Sequence, residues 1–184
     1  MKQTIIVLLT VPFFVIAGCS TVPENPEAKS VLAAEVQEAI ALFKAKDPSI
    51  ERFFNQSYGY VVLPKVIKGG FIVGGAYGKG EVYEQGKMAG FSSLSQATLG
   101  FSFGGEYFRE IVFLRDKPDL DMFKQNEYTF AAQVTAVALS SGAAAKADYK
   151  AGMAVFFMTD KGLMVDASVG GQKFRYIQLV PGEK

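Results

Sequence analysis

From Leu32 onward apolar side chains return every three or four positions, at Leu32, Val36, Ile40 and Phe43, with Glu35 and Glu38 on the opposite side. That spacing predicts an amphipathic helix from Pro26 to about Lys46, with Asn25 as its N-cap and Pro26 at the first helical position. Asp47-Pro48 repeats the same opening and predicts a second, short helix over 48–55 with Phe53 and Phe54 inward. After Ser57 the residues turn to Gly, Val, Ile, Phe and Tyr, and strands are predicted at 58–63, 71–77, 81–83, 97–103 and 107–114. In the fourth of these, Leu99, Phe101 and Phe103 alternate with Thr98, Gly100 and Ser102, the period of one packed face. Pro118 opens a third helix, with Leu120 and Phe123 as its stripe, ending near Gln125. Strands are again predicted at 128–139, 154–159, 163–169 and 173–179, with Asp160-Lys161-Gly162 and Gly170-Gly171 as turn signals. Glycines within strands favour bulges and tight coiling. The order implies an α+β domain: a strongly curved antiparallel β-sheet or small barrel-like sheet with N-terminal helices and one mid-chain helix.

The start of the chain has another pattern. Met1 and Lys2 precede a nearly unbroken apolar run from Ile5 to Ile16, then Ala17, Gly18 and Cys19. A basic start, a short apolar run and small residues form a secretory signal, too short to span a bilayer comfortably. Ile16-Ala17-Gly18-Cys19 resembles the bacterial lipobox, which implies cleavage before Cys19 and acylation of its thiol and new amino terminus. The expected organisation is a lipoprotein signal peptide at 1–18, an acylated tether at 19–26 carrying Pro23 and Pro26, and a domain from 27 to 184. Ser20 stands where an Asp would signal inner-membrane retention in sorted bacterial lipoproteins, so the expected location is the outer membrane, facing the periplasm.

Composition then removes chemistries. With 184 residues, 49% of them hydrophobic, one well-cored domain is expected. No His and a single Cys exclude a Ser/His/Asp triad, a Cys/His pair, His-ligated zinc and an intramolecular disulfide. Once Lys2 is lost, the 19 basic side chains fall to parity with the 18 acidic ones, which argues against a nucleic-acid partner. Asp116, Asp119 and Asp121 at the start of the third helix read as capping residues or, more sharply, as a divalent-metal site. Gly78-Lys79 lacks the earlier glycine and following hydroxyl of a phosphate loop, because Val73 and Gly80 hold those positions.

The longer run from Gly59 to Gly75, GYVVLPKVIKGGFIVGG, continued by Tyr77-Gly78-Lys79-Gly80, resembles the SYLF domain, as does the block from Gly162 to Gly171. Over about residues 30 to 178 the order and spacing agree. Phe91-Ser92-Ser93-Leu94 stands where many relatives have Trp-Ser-x-Pro, as in a bacterial branch. The resemblance implies a non-enzymatic lipid-binding module of bacterial lipoproteins. Between Ser57 and Gly80 lie three lysines, Lys65, Lys68 and Lys79, and no acid, a pattern suited to phosphate oxygens of lipid headgroups or to a solvated face. The first helix likewise reads as packed on the sheet or lying at a bilayer interface.

The expected function is therefore a membrane-anchored lipoprotein that binds phospholipid or anionic headgroups through Lys65, Lys68 and Lys79, with Cys19 lipidated. No cofactor, metal or catalytic residue is expected. The alternative is an envelope structural or stress protein that binds a protein or peptidoglycan partner and uses its acyl chains only for placement. A small transmembrane barrel is a third reading of the glycine-aromatic strands.

Overall fold

The computed structural model describes residues 20–70, 73–102, 104–125, 128–130, 137–138, 140–159 and 166–179. Cys19, the 1–18 segment and the Asp160-Lys161-Gly162 turn lie outside these residues. Helix α1 (Pro26–Lys46) begins where its cap chemistry demands: the Asn25 side chain accepts from the Ala28 N–H, and Pro26 contributes no orphan donor. Asp47 caps a single 3₁₀ turn (Pro48–Ile50) that runs into α2 (Glu51–Gln56). Four long strands come next, β1 (Gly59–Gly70), β2 (Val73–Glu84), β3 (Lys87–Ser102) and β4 (Gly104–Leu114). Then come α3 (Lys117–Lys124), β5 (Tyr128–Phe130), β6 (Val137–Ala138), α4 (Ala143–Lys146), β7 (Met153–Thr159) and β8 (Asp166–Gln178).

The fold is α+β, with one eight-stranded sheet in the order β5-β8-β3-β2-β1-β4-β7-β6. All described pairings are antiparallel except β6 with β7, so the sheet is mixed at that edge. Gly170-Gly171 is not a turn: both residues lie within β8, opposite Thr98 and Ala97 of β3. The predicted 71–77 and 81–83 strands are one strand, β2, and the predicted 128–139 strand contains only the short β5 and β6 among the described residues.

One hydrogen bond reveals the curvature. β8 and β4 are four places apart in the sheet, about 19 Å if it were flat. Yet Gln172 Nε2 of β8 donates to Glu110 Oε2 of β4 at 2.9 Å. The sheet is therefore curled so far that its concave face meets itself. That inner face holds one core, including Val61, Leu63, Val66, Leu94, Val112 and Phe174, with Leu120 and Phe123 of α3 filling it. The convex face holds the second core, where Leu32, Val36, Ala39 and Phe43 of α1 and Phe53 of α2 cover Val62, Ile111, Phe113 and Phe156. The stripe predicted for the first helix is thus spent on the sheet. Both cores are built from residues beyond Ser20, so the chain from Ser20 carries its own folding core.

A bulge in β1 sets which side chains of its second half face outward. β1 is a central strand, and Pro64 within it has no N–H to give a ladder. The pairing with β2 jumps from Val62↔Glu81 to Lys65↔Lys79, leaving Leu63 and Pro64 opposite Gly80 alone. Gly80 has to be glycine there, since a Cβ would run into the Val62 carbonyl. Because two residues oppose one, the alternation of faces inverts: Val61 and Leu63 point into the inner core before the bulge, and Val66 does so after it.

Candidate functional site

Inversion at Pro64 decides where the three sequence-predicted lysines go. Lys65 and Ile67, which would otherwise share a face with the inner core, stand on the convex, helix-bearing face. Lys65 is the direct cross-strand partner of Lys79, so the two side chains leave the same face from neighbouring positions. Lys68, three residues from Lys65, points to the opposite face, and its partner Ala76 belongs to the inner core. The structure brings Lys65 and Lys79 together and separates Lys68 from them.

Lys65 and Lys79 line a groove of about 640 Å³ between the sheet and the start of α1. Its apolar surface comes from Val31, Leu32, Pro64, Ile67 and Tyr77. Two of these are unusually open for their type, Val31 at 53% exposed and Ile67 at 61%. Tyr107, cross-strand from Ile67, extends the same surface, and Lys65 Nζ lies 5.4 Å from the Tyr107 ring centroid. The helix side of the groove carries Glu24, Glu27 and Glu35. The sequence stretch from Ser57 to Gly80 contains no acid, but the fold sets these three against it, Glu24 from just before α1 and Glu27 and Glu35 from within it. No sequence motif marks them; only the helical spacing of Ala28, Val31, Leu32 and Glu35 places one stripe beside the groove.

Two like charges placed directly opposite each other cost stability. Among the described residues neither Lys65 nor Lys79 has an ion-pair partner within 4.0 Å, whereas Lys44, Lys117 and Lys124 are each paired with a carboxylate. The groove therefore holds two cations outside any ion-pair contact among the described residues, beside an apolar floor and across from three carboxylates.

The expected tether is docked. Thr21 is buried and its Oγ1 lies 2.9 Å from Ser93 Oγ, while Tyr77 Oη donates to the Ser20 carbonyl at 3.2 Å. Pro23, also buried, reaches the groove wall. Ser20 is thus held by Tyr77, a residue of the groove lining.

Deeper under α1 lies a polar cluster that sequence reasoning missed. Tyr83 Oη donates to Glu81 Oε2 at 2.6 Å and accepts from Gln37 Nε2 of α1 at 3.2 Å. Tyr60 stacks on Tyr83 with ring centroids 4.8 Å apart. Burial raises the Glu81 carboxyl above its ordinary range, opposed in part by the Tyr83 hydrogen bond. On the inner face Glu110 is 1% exposed, and burial pushes its carboxyl up to about 7, against the bond from Gln172. Among the described residues its Oε1 has no hydrogen-bond partner.

Asp116, Asp119 and Asp121 are used locally. Asp116 Oδ1 accepts from the Asp119 N–H at the start of α3, Asp121 pairs with Lys117 at 2.6 Å, and Asp119 faces Arg115 at 3.5 Å. Among the described residues no group of three His, Cys, Asp or Glu is placed to hold a metal ion. No described helix is long and apolar enough to cross a membrane.

No protein-family model matches the chain. The chain is 26% identical over 150 residues to Beta cell expansion factor A of Aeromonas veronii, an alignment that covers 80% of this chain. It spans only 57% of that relative's length.

Proposed function

We propose that this chain is a non-enzymatic, SYLF-like lipoprotein of the bacterial envelope that binds membrane phospholipid in the groove between α1 and the β1–β2 ladder. The observation that carries this reading is the Lys65–Lys79 cross-strand pair, two adjacent lysines in no ion-pair contact among the described residues, beside an open apolar floor. Such a pair receives a phosphate, and Val31 and Ile67 receive the start of the acyl chains. Lipidation at Cys19 would deliver the groove to the bilayer, because Ser20 and Thr21 are already fixed at its rim. The outer membrane, periplasmic side, is the proposed location.

Vesicle co-flotation of the unacylated chain 20–184 tests this reading. The double variant Lys65→Gln/Lys79→Gln should bind phospholipid vesicles about tenfold or more weakly, since each lysine near a headgroup layer contributes about 1 kcal/mol. Lys68→Gln should bind as the wild type does. No capture by any vesicle would overturn lipid binding and leave the anchored scaffold with a protein or peptidoglycan partner as the better account. Equal losses from Lys68→Gln and the double variant would mean that charge in general, and not the groove, is recognised.

A further inference from the structure

We infer that the groove selects a zwitterionic aminophospholipid, one with both a phosphate and a primary ammonium, over an acidic phospholipid. This inference rests on the lipid-binding reading above and narrows it. Its basis is the charge that the fold adds to the lysine pair. The sheet wall carries Lys65 and Lys79, and the helix wall carries Glu24, Glu27 and Glu35. Two cations against three carboxylates leave the lining acidic by one charge.

A headgroup that carries only negative charge gains from the lysines and is repelled by the helix wall. A phosphoethanolamine headgroup has its phosphate and its ammonium a few bonds apart, and it satisfies both walls at once. The phosphate meets the Lys65–Lys79 pair and relieves the repulsion between them, while the ammonium faces the carboxylates.

The carboxylates are not equally accounted for by helix chemistry. Glu27 sits in the first turn of α1, where the helix dipole alone favours an acid. Glu35, in the third turn, has no such reason, and it lies on the stripe of Ala28, Val31 and Leu32 that borders the groove. Glu35 and the other groove acids have no ion-pair partner among the described residues. The apolar floor commits the ligand to a lipid and not to the free headgroup, because exposed Val31 and Ile67 gain nothing from soluble phosphoethanolamine.

The test uses the chain 20–184 and vesicles of phosphatidylcholine doped, at equal molar fraction, with phosphatidylethanolamine, with N-acylated phosphatidylethanolamine or with phosphatidylglycerol. The N-acylated lipid keeps the phosphate and loses the ammonium. Phosphatidylethanolamine vesicles should bind about fivefold or more tighter than the other two. Glu27→Gln/Glu35→Gln should abolish that preference by weakening the phosphatidylethanolamine arm and strengthening the phosphatidylglycerol arm, with thermal unfolding within a few degrees of wild type. Glu38→Gln, on the same helix but outside the groove, removes one carboxylate away from the site, half the charge change of the double variant, and should keep the full preference. Tighter binding to phosphatidylglycerol, or a preference that survives Glu27→Gln/Glu35→Gln, would overturn the inference while leaving lipid binding intact. Loss of binding in every arm would instead overturn the lipid reading beneath it.

Discussion

The two halves of β1, before and after Pro64, run through the same sheet and meet opposite fates. Before Pro64 the convex face is sealed: Tyr60 and Val62 lie beneath α1 and α2, beside Phe113, which packs against Phe53 at 5.4 Å and Phe54 at 4.9 Å. After Pro64 the same face opens, and Lys65 and Ile67 look out between the sheet and the thin end of α1. The difference is one extra residue in the ladder. A bulge here does not merely bend a strand; it hands the cationic and apolar side chains of the second half to the face where a helix is already present. The sealed core lies on one side of Pro64 and the open, lysine-bearing groove on the other.

Breaking the sealed half should have the largest effect. Phe113→Ala removes a ring that touches Phe53, Phe54, Tyr60 and Phe156, and should lower unfolding stability by about 3–5 kcal/mol in a denaturant titration. Next is Glu110, which lies opposite Leu63 at the edge of the bulge and faces the inner core. Unfolded, its carboxyl titrates near 4.5; folded, near 7. Between those values the folded chain keeps a proton that the unfolded chain has released. Stability should therefore be highest below about pH 4.5 as far as this group is concerned, and should fall as pH rises to 7, by up to roughly 3 kcal/mol. Glu110→Gln should match the wild type near pH 4.5 and exceed it at pH 8, with a shallower pH profile in between; a residual slope of the same sign is expected from Glu81, whose carboxyl is also raised.

A smaller loss is expected from Asp47→Ala. Burial acts to raise this carboxyl, but hydrogen bonds from the Ala144 N–H, the Ser49 hydroxyl and N–H, and Gly142 outweigh it and hold it below its ordinary value. The substitution removes both a helix cap and the tie between the 3₁₀ turn and α4, at about 1–2 kcal/mol measured by thermal unfolding. Its contribution is present at neutral pH and is lost as pH falls through the depressed folded value. The smallest change, and of the opposite sign, belongs to the open half. Lys79→Gln removes a like-charge neighbour from Lys65 and should stabilise the fold by a few tenths of a kcal/mol at low salt, an increment that vanishes as salt is added.

What the sequence made legible was whatever is decided locally. Helix α1 falls on its predicted bounds because Asn25-Pro26 and a 21-residue periodic stretch determine it without help. The beginning of β3 was not legible: Phe91-Ser92-Ser93-Leu94-Ser95 has the polarity of a loop, and it is a strand because β2 and β8 flank it and bury Ser92 and Ser93. Gly170-Gly171 has turn chemistry that pairing with β3 overrides. Ala143–Lys146 is too short for any period to show. The α+β class is legible in the order of the elements and the curl in the glycines within strands; the parallel β6–β7 edge is not. The alternation at Leu99, Phe101 and Phe103 falls on side chains outside the described residues. At the site, the split between Lys65 and Lys68 was available from their odd spacing alone, since alternate residues of a strand face opposite ways. The pairing of Lys65 with Lys79 needed the register, and the acidic wall needed the packing of α1.

The buried Thr21 sets the length of a leash. A free tether of about seven residues between an acylated Cys19 and the domain would let it wander about 15 Å from its anchor. With Thr21 held at Ser93 and Ser20 held at Tyr77, the free span shrinks to a single peptide, about 4 Å. With Cys19 acylated as proposed, a domain moored that closely would meet the bilayer with the Ser20 end of the groove turned toward it. Thr21→Val or Ser93→Ala would pay out line without touching the groove.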